Sequence, residues 1–410
     1  MQLVEQHIIG KSDPRYQMID QAAYASKNLY NQANYQIRQA YFHEGKYLPY
    51  AEIFHRLKYH EAYCALPRKV SNSILIQLHA NWVSFFKASA AFEEDPSNFV
   101  GRPQIPGYKD KEKGRNMLIY DKQALGKRAF KKTGKLMPSG LPIAIETKVQ
   151  WRSIDCVRIV PRRAFYVVEV VYTKDVQRAP VDKSLVAALD PGVNTLAAIT
   201  SNKPGFVPRL VNGKPIKSRN QYYNKQRASH QSHLAKQQRF TSRQLESITT
   251  KRNRRIIHYL HTASRRIIDL LVQEGIGTLC IGKNPLWKQE SNLGKKNNQE
   301  FVQMPHARFI EMLQYKGALV GIDVVVHEES YTSKASFLDL DDIPTYDPER
   351  RDQHTFSGKR IARSWYRAQS GQVIHADVNG SYNIGRKVAP TAFSGLGVGG
   401  AAVRPGRLAV

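Results

Sequence analysis

Cysteine is scarce: Cys64, Cys156 and Cys280 are the only three among 410 residues, far apart and odd in number. That pattern excludes a disulfide framework and points to a reducing compartment. No CxxC pair occurs, so a thiolate zinc site lacks its usual ligands. Long apolar runs are missing too: none could span a bilayer, and the N-terminal residues show no signal-peptide pattern. The expectation is a cytoplasmic, nucleoid-associated location and no membrane partner. Acidic residues are the third shortage. Only 34 Asp plus Glu stand against 62 Lys plus Arg, a net charge of +28 and a pI near 9.9. Such an excess goes beyond what solubility needs and marks a polyanion partner, nucleic acid above all. What is present also bounds the answer. A hydrophobic content of 41% with 21 Tyr and 15 Phe supplies real cores and excludes a disordered basic tail. The length implies two or three domains.

Because acids are few, their placement is informative. In Val186 to Thr200, VAALDPGVNTLAAIT, an apolar run ends in Asp190, Pro-Gly turns the chain and a second apolar run returns. This is a hairpin signal with a carboxylate at the exit of its first strand. Such a carboxylate either caps the turn or, held at a strand end, serves a divalent metal as an oxygen ligand.

Taken in order, residues 1–9 alternate as one edge strand. From Asp13 to about Phe92, Tyr16, Ile19, Ala22, Ala23, Ser26, Leu29, Tyr30 and Ala33, and later Val70, Ile74, Leu75, Leu78, Trp82, Phe85 and Phe86, recur at helical spacing. Tyr30, Tyr35, Tyr41 and Tyr50 interleave with Lys and Arg, which suits either core packing or stacking on nucleic acid. A basic Pro/Gly connector, residues 95–115, leads into β-rich residues 116–174, read as a small barrel or open sheet. The clusters at Lys127 to Lys135 and at Arg162 and Arg163 fall in its turns and are candidates for phosphate contact. After the Asp190 hairpin come a basic stretch, Lys214 to Arg266, and an amphipathic helix ending near Gly275. Then follow the strand TLCI, a helix over His306 to Leu319, and the strand IDVVV with His327, Glu328 and Glu329 at its end. Hairpin, helix, strand, helix, strand predicts an α/β layer with parallel pairing. Tyr331 to Ile374 is a loop-rich insertion, and HADVNGSYNIGRK places Asp377 at a helix start. From Ala389 the Gly/Ala/Pro-rich tail reads as mobile.

Hydrolytic phosphoryl transfer needs carboxylates converging on one or two Mg²⁺ ions. Asp190 and Asp377 can meet at the C-terminal edge of one parallel sheet, where open α/β folds place their chemistry. That is the arrangement of an RNase H-like fold, with a third ligand due from a neighbouring parallel strand.

ALDPGVNTLAAIT, TLCIGKN, YTSK and ADVNGSYNI together resemble the RuvC-like nuclease of TnpB proteins, transposon-encoded RNA-guided nucleases related to type V CRISPR effectors and Fanzor proteins. GRPQIPGYK adds a matching connector. The resemblance implies a multidomain α+β chain. An RNase H-like (RuvC) nuclease domain, 181–330 with 375–390, would carry a basic helical insertion at about 214–274. A wedge β-barrel, 1–10 with 101–180, would be interrupted by a helical recognition domain at 11–100. Residues 331–374 would be a target-nucleic-acid-binding insertion and 391–410 a flexible tail. It also implies a guide RNA, target double-stranded DNA cut beside a short flanking motif, and Mg²⁺ or Mn²⁺.

Two departures qualify it. The family places its middle catalytic glutamate where this chain has Gly282. Strands lie about 4.8 Å apart, so a glutamate at the end of the next strand can reach across. The expected ligands are therefore Asp190, Glu329 and Asp377, with Glu328 the alternative, since alternation points it to the opposite face. In the insertion, the family's paired cysteines correspond to Ser336 with Asp339 and Arg367 with Ser370, none of which supplies the thiolate or imidazole that a tetrahedral zinc wants. No structural zinc is expected, and hydrogen bonds and apolar packing should hold the module. Lys251, Arg252, Arg254, Arg255, Lys283 and Lys334 are the expected backbone-binding cations. The rival reading is a non-cleaving RNA-guided DNA-binding regulator. A guide-independent resolvase or transposase leaves the N-terminal half unexplained.

Overall fold

The computed structural model describes residues 1–283, 299, 302–347, 354–393 and 400–410. They divide into two compact units, Met1–Lys174 and Asp175–Val410. Among the described residues no helix is long and apolar enough to cross a membrane.

In the first unit, β1 (Gln2–Gly10) pairs along its whole length with β6 (Phe165–Thr173), which continues to β5 (Ile154–Pro161) and β2 (Leu118–Asp121), all antiparallel. The alternating burial of β1 is that of an edge strand with one face on the core. Of the two readings, small barrel or open sheet, these strands pair as the open sheet, and the barrel that the resemblance implies is not closed by them. The sheet ends at β1 and β2, and β3 (Lys135–Leu136) with β4 (Ile145–Glu146) makes a separate ribbon. Closure depends on shear and register, which alternation alone does not encode. The Lys127 to Lys135 cluster, expected in a turn, mostly forms the short helix α5 (Lys127–Thr133).

Between β1 and β2 the chain builds α1 (Tyr16–His43), α2 (Tyr50–Leu57), α3 (Glu61–Cys64) and α4 (Arg68–Glu94). Ile19, Ala23, Leu29, Tyr30, Ala33 and Ile37 of α1 share one core with Val70, Ile74, Leu75, Leu78 and Trp82 of α4. Each large apolar side chain so buried contributes roughly 1.5–3 kcal/mol. Trp82 donates its indole N–H to Asn34 at 3.0 Å, so the buried ring leaves no donor unsatisfied. Of the interleaved aromatics, Tyr30 is core while Tyr35 stays 51% exposed.

The second unit holds a six-stranded sheet, ordered β11 (Asp323–His327), β10 (Ile276–Gly282), β7 (Asp182–Pro191), β8 (Thr195–Ser201), β9 (Arg209–Asn212) and β15 (Gly406–Leu408). β7, β10 and β11 run parallel, and β7, β8 and β9 antiparallel. The crossovers are α6 (Lys214–Lys236) with α7 (Arg243–Gln273), and α8 (His306–Val320). Alternation splits the strands between two cores. Ala187, Leu189, Leu279 and Ile281 face α7 and α8. Val186, Ala188 and Cys280 pack with Val378, Tyr382 and Ile384 of α9 (Ala376–Val388) on the other face. The insertion adds β12 (Lys359–Ala362), β13 (Trp365–Arg367) and β14 (Val373–His375) as an antiparallel sheet. The tail departs from expectation: residues 406–408 pair parallel with β9, because an open sheet edge supplies the partner that the residues themselves do not signal. Cys64, Cys156 and Cys280 are free thiols.

Candidate active site

β7 delivers Asp190 to its C-terminal end, paired across the hairpin with Ala198. β10 ends beside it at Gly282, and β11 ends beside that at His327, with Gly282 and His327 in register. α9 lies over these ends, with Asp377 in its first turn beneath the N-capping His375, whose Nδ1 accepts the Asp377 N–H at 3.3 Å. An acid in a first helical turn also suits the helix dipole.

Two close approaches show how the carboxylates are housed. A Cβ added to Gly380 would sit 2.7 Å from Asp190 Oδ2, so only glycine admits this carboxylate against the helix. A Cβ on Gly282 would sit 2.3 Å from Glu329 Oε2 and 2.9 Å from Glu329 Cβ. The Glu329 side chain therefore fills the space over Gly282. Glu328 turns away to Lys387 of α9.

Electrostatics tie the acids together. Burial, and then the Asp377 carboxylate, push Asp190 up to about 7, with Arg360 opposing. Burial, then Asp190 and Glu328, raise Glu329 well above the usual carboxylate range, with Lys387 opposing. Arg360 of β12 stands 3.6 Å from Asp377 Oδ1. Burial lowers His375, and Arg360 adds to that while Asp377 opposes it. Among the described residues no three acid, histidine or cysteine side chains converge closely enough to cage an ion. The donor chemistry nevertheless fits a hard divalent cation: these are carboxylate oxygens, and their mutual repulsion is what such an ion relieves.

Beside the acids lies a trough of about 820 Å³ lined by Asn194, Lys214, Arg360, Arg363, His375, Asp377 and Arg407. Of the cations expected on nucleic acid, Lys251, Arg254, Arg255, Lys283 and Lys334 are exposed. Arg252 is not available in the same way. Its Nε donates to Asn220 at 2.8 Å, its guanidinium lies over the Tyr223 ring, and burial lowers its pKa. It braces α6 against α7. Sequence reasoning missed Arg407 and gave no role to Lys214, which only opened the basic stretch, or to Gly380 within HADVNGSYNIGRK. Arg360 and Arg363 were visible only as part of a basic segment, GKRIARSWYR.

Acids and hydroxyls knit the insertion together around Ser336, Asp339 and Ser357. Asp339 accepts the Gln369 N–H at 2.8 Å and the Ser357 hydroxyl at 2.9 Å, and its own N–H donates to Ser336 Oγ at 3.2 Å. Asp341 accepts the Ser336 N–H at 2.7 Å and the Ser357 hydroxyl at 2.6 Å. Burial works against ionised Asp339, but the bonds from Ser336, Gln369 and Ser357 hold its carboxyl below the ordinary value. Asp339 thus ties residues 336, 357 and 369 together through hydrogen bonds. Asp339→Asn is expected to destabilise the chain by about 1–3 kcal/mol, because charge-assisted bonds are lost from both ends of the module. In Mg²⁺-free buffer, a zinc-selective chelator should leave the melting temperature unchanged. A melting curve that shifts with chelator but not with Asp339→Asn would sink this account.

Residues 169–287 match the OrfB_IS605 family model, described as a probable transposase. Residues 306–384 match the Cas12f1-like TNB domain. A curated relative, the TnpB-like protein ORF457 of Acidianus two-tailed virus, is 24% identical over 399 residues, covering 88% of this chain and 81% of the relative. Among solved structures, the mini-RNA-guided endonuclease CRISPR-Cas_phi3 aligns over 97% of this chain and 93% of its own at 9% identity, with a TM-score of 0.47. A Cas12f1–sgRNA–target DNA complex aligns over 93% and 98% at 12% identity, with a TM-score of 0.34.

Proposed function

We propose, from the premise that this chain is a TnpB-type protein, that it is an RNA-guided endonuclease cutting DNA beside a short flanking motif. Asp190, Glu329 and Asp377 would hold one or two Mg²⁺ or Mn²⁺ ions. The observation that carries the reading is the Glu329 side chain lying over Gly282, where burial and then the Asp190 charge raise its pKa. It supports a middle carboxylate supplied from the strand next door. Bound there, divalent cations activate water and stabilise the leaving oxygen of the phosphodiester.

The chain's own residues supply the rest. β7 and α9 hold Asp190 and Asp377 on rigid elements rather than loops. Lys214, Arg360, Arg363 and Arg407 line the trough beside Asp377 and favour a phosphate backbone there. Lys251, Arg254, Arg255, Lys283 and Lys334 extend positive charge over the same unit, while guide pairing reads the target sequence. One observation favours the second reading, a non-cleaving guided binder: Arg360 already occupies Asp377.

The test is cleavage of a plasmid library with a randomised flank, using protein purified with its co-expressed RNA, in Mg²⁺ and in EDTA, beside Asp190→Ala. Expected is Mg²⁺-dependent cutting next to an enriched short motif, absent in the variant. Guided binding without cutting would leave the regulator.

A further inference from the structure

Lys387 sits at the far end of α9 from Asp377, away from the trough, yet its ammonium gathers three acceptors, two of which flank Glu329. It donates to the Glu328 carboxylate, to the Ser330 carbonyl at 3.2 Å and to the Pro344 carbonyl at 3.1 Å, and its side chain is only 7% exposed. The Ser330 N–H in turn donates to the other Glu328 oxygen at 2.6 Å. Both residues flanking Glu329 are thereby gripped from one side, and Glu329 is left to point to the other, over Gly282.

The backbone that follows needs such a grip. Tyr331 has φ +65, a conformation that bulky residues adopt only where their surroundings over-determine it. The Glu329 carbonyl accepts both the N–H (3.2 Å) and the hydroxyl (2.9 Å) of Thr332, whose own carbonyl accepts Asn383 Nδ2 of α9 at 2.9 Å. Asp377, Gly380, Ile384 and Lys387 are separated by three, four and three residues, so they form one stripe on α9. Gly380 meets Asp190, Ile384 meets Gly282, and Lys387 meets Glu328. Two adjacent glutamates after one strand would otherwise compete for the same opening. A cation committed to the first releases the second.

We propose that Lys387 is a positioning residue: its pairing with Glu328 fixes residues 328–332 so that Glu329 is held over Gly282. The proposal rests on the reading of Glu329 as a metal-holding carboxylate.

The test uses the full chain with Lys387→Met, Lys387→Arg, and the charge exchange Glu328→Lys with Lys387→Glu. Mn²⁺ binding is followed by the loss of free Mn²⁺ signal in electron paramagnetic resonance, and amide hydrogen exchange is followed at 329–332 without metal. Lys387→Met is expected to weaken Mn²⁺ binding about 10- to 100-fold, the usual cost of losing a group that orients a ligand, and to speed exchange at Thr332. Lys387→Arg and the charge exchange should return both values toward those of the unmodified chain. Unchanged Mn²⁺ affinity and unchanged Thr332 exchange in Lys387→Met would overturn the proposal. Should that variant fail to melt cooperatively, Glu328→Gln, which keeps the lysine and removes only its counter-charge, decides by the same two readouts. An unmodified chain that binds no Mn²⁺ would instead overturn the metal reading, while the metal-free exchange data would still judge the clamp.

Discussion

Glu329→Gln is expected to lower guided cleavage on the order of 10³-fold while leaving guide and target binding in place. A metal-holding carboxylate supplies several kcal/mol of transition-state stabilisation, and about 4 kcal/mol is a factor of 10³. Gly282→Ala should cost nearly as much by a different route. Its new Cβ would lie 2.3 Å from Glu329 Oε2, so the methyl group and the carboxylate cannot share the site. The decisive experiment is the exchange of the two residues. Gly282→Glu alone adds an acid into an occupied space and should be inactive. Combined with Glu329→Gly, it restores one carboxylate between β7 and β11 and should recover a measurable part of the activity. Cleavage that is unaffected by Glu329→Gln, or a double variant that responds as the sum of its singles, would remove Glu329 from the site.

Asp190→Asn should make the metal-free protein more stable at pH 8, by up to about 4 kcal/mol. The Asp190 carboxyl titrates at about 7 in the folded chain, against about 3.9 when unfolded, and each unit is worth about 1.36 kcal/mol. Between those values the folded state keeps a proton that the unfolded state has lost. Through this group stability falls as pH rises from about 4 to about 7, and the loss is complete above 7. Asparagine carries no charge and escapes it. The gap between variant and unmodified chain should therefore be widest above pH 7 and close toward pH 4. Added Mg²⁺ should stabilise the unmodified chain more than the variant, and so narrow the gap at pH 8. Denaturant melts at pH 4 and pH 8 measure this directly. Equal stability at pH 8 would mean that Asp190 is not under the repulsion described, whatever its role in cleavage.

Much of the second unit was legible because its signals are local. Asp190 stands where an apolar run meets Pro-Gly, and Asp377 where a turn meets an amphipathic helix. Strand alternation was the reason to prefer Glu329 to Glu328, but both residues lie beyond the end of β11, and Lys387 pairs with Glu328. What was not legible depends on docking. Gly380, Ile384 and Lys387 matter through which helix face meets which strand end, and no residue spacing states that partner. Arg360 reaches Asp377 from a three-stranded sheet whose short strands lie within a loop-rich stretch. Arg252 looked like its neighbours Lys251 and Arg254, yet Asn220 and Tyr223 of the facing helix engage it. Residues 406–408 carry no strand pattern and gain their order from β9. In the first unit, strand identity could be read from composition, but whether the sheet would close could not.

The parallel ladder places Gly282 and His327 at one height, with α9 crossing both strand ends like a straightedge. A side chain's standing in the site is then a matter of latitude, and less of which strand it belongs to. A carboxylate entering from beyond the end of β11, as that of Glu329 does, lies over Gly282 beneath the same helix. A slip of one residue along the strand has the opposite outcome, since it turns every side chain to the other face of the sheet. Glu329 follows His327 by two residues, a step that keeps the face of the sheet, whereas a step of one would not.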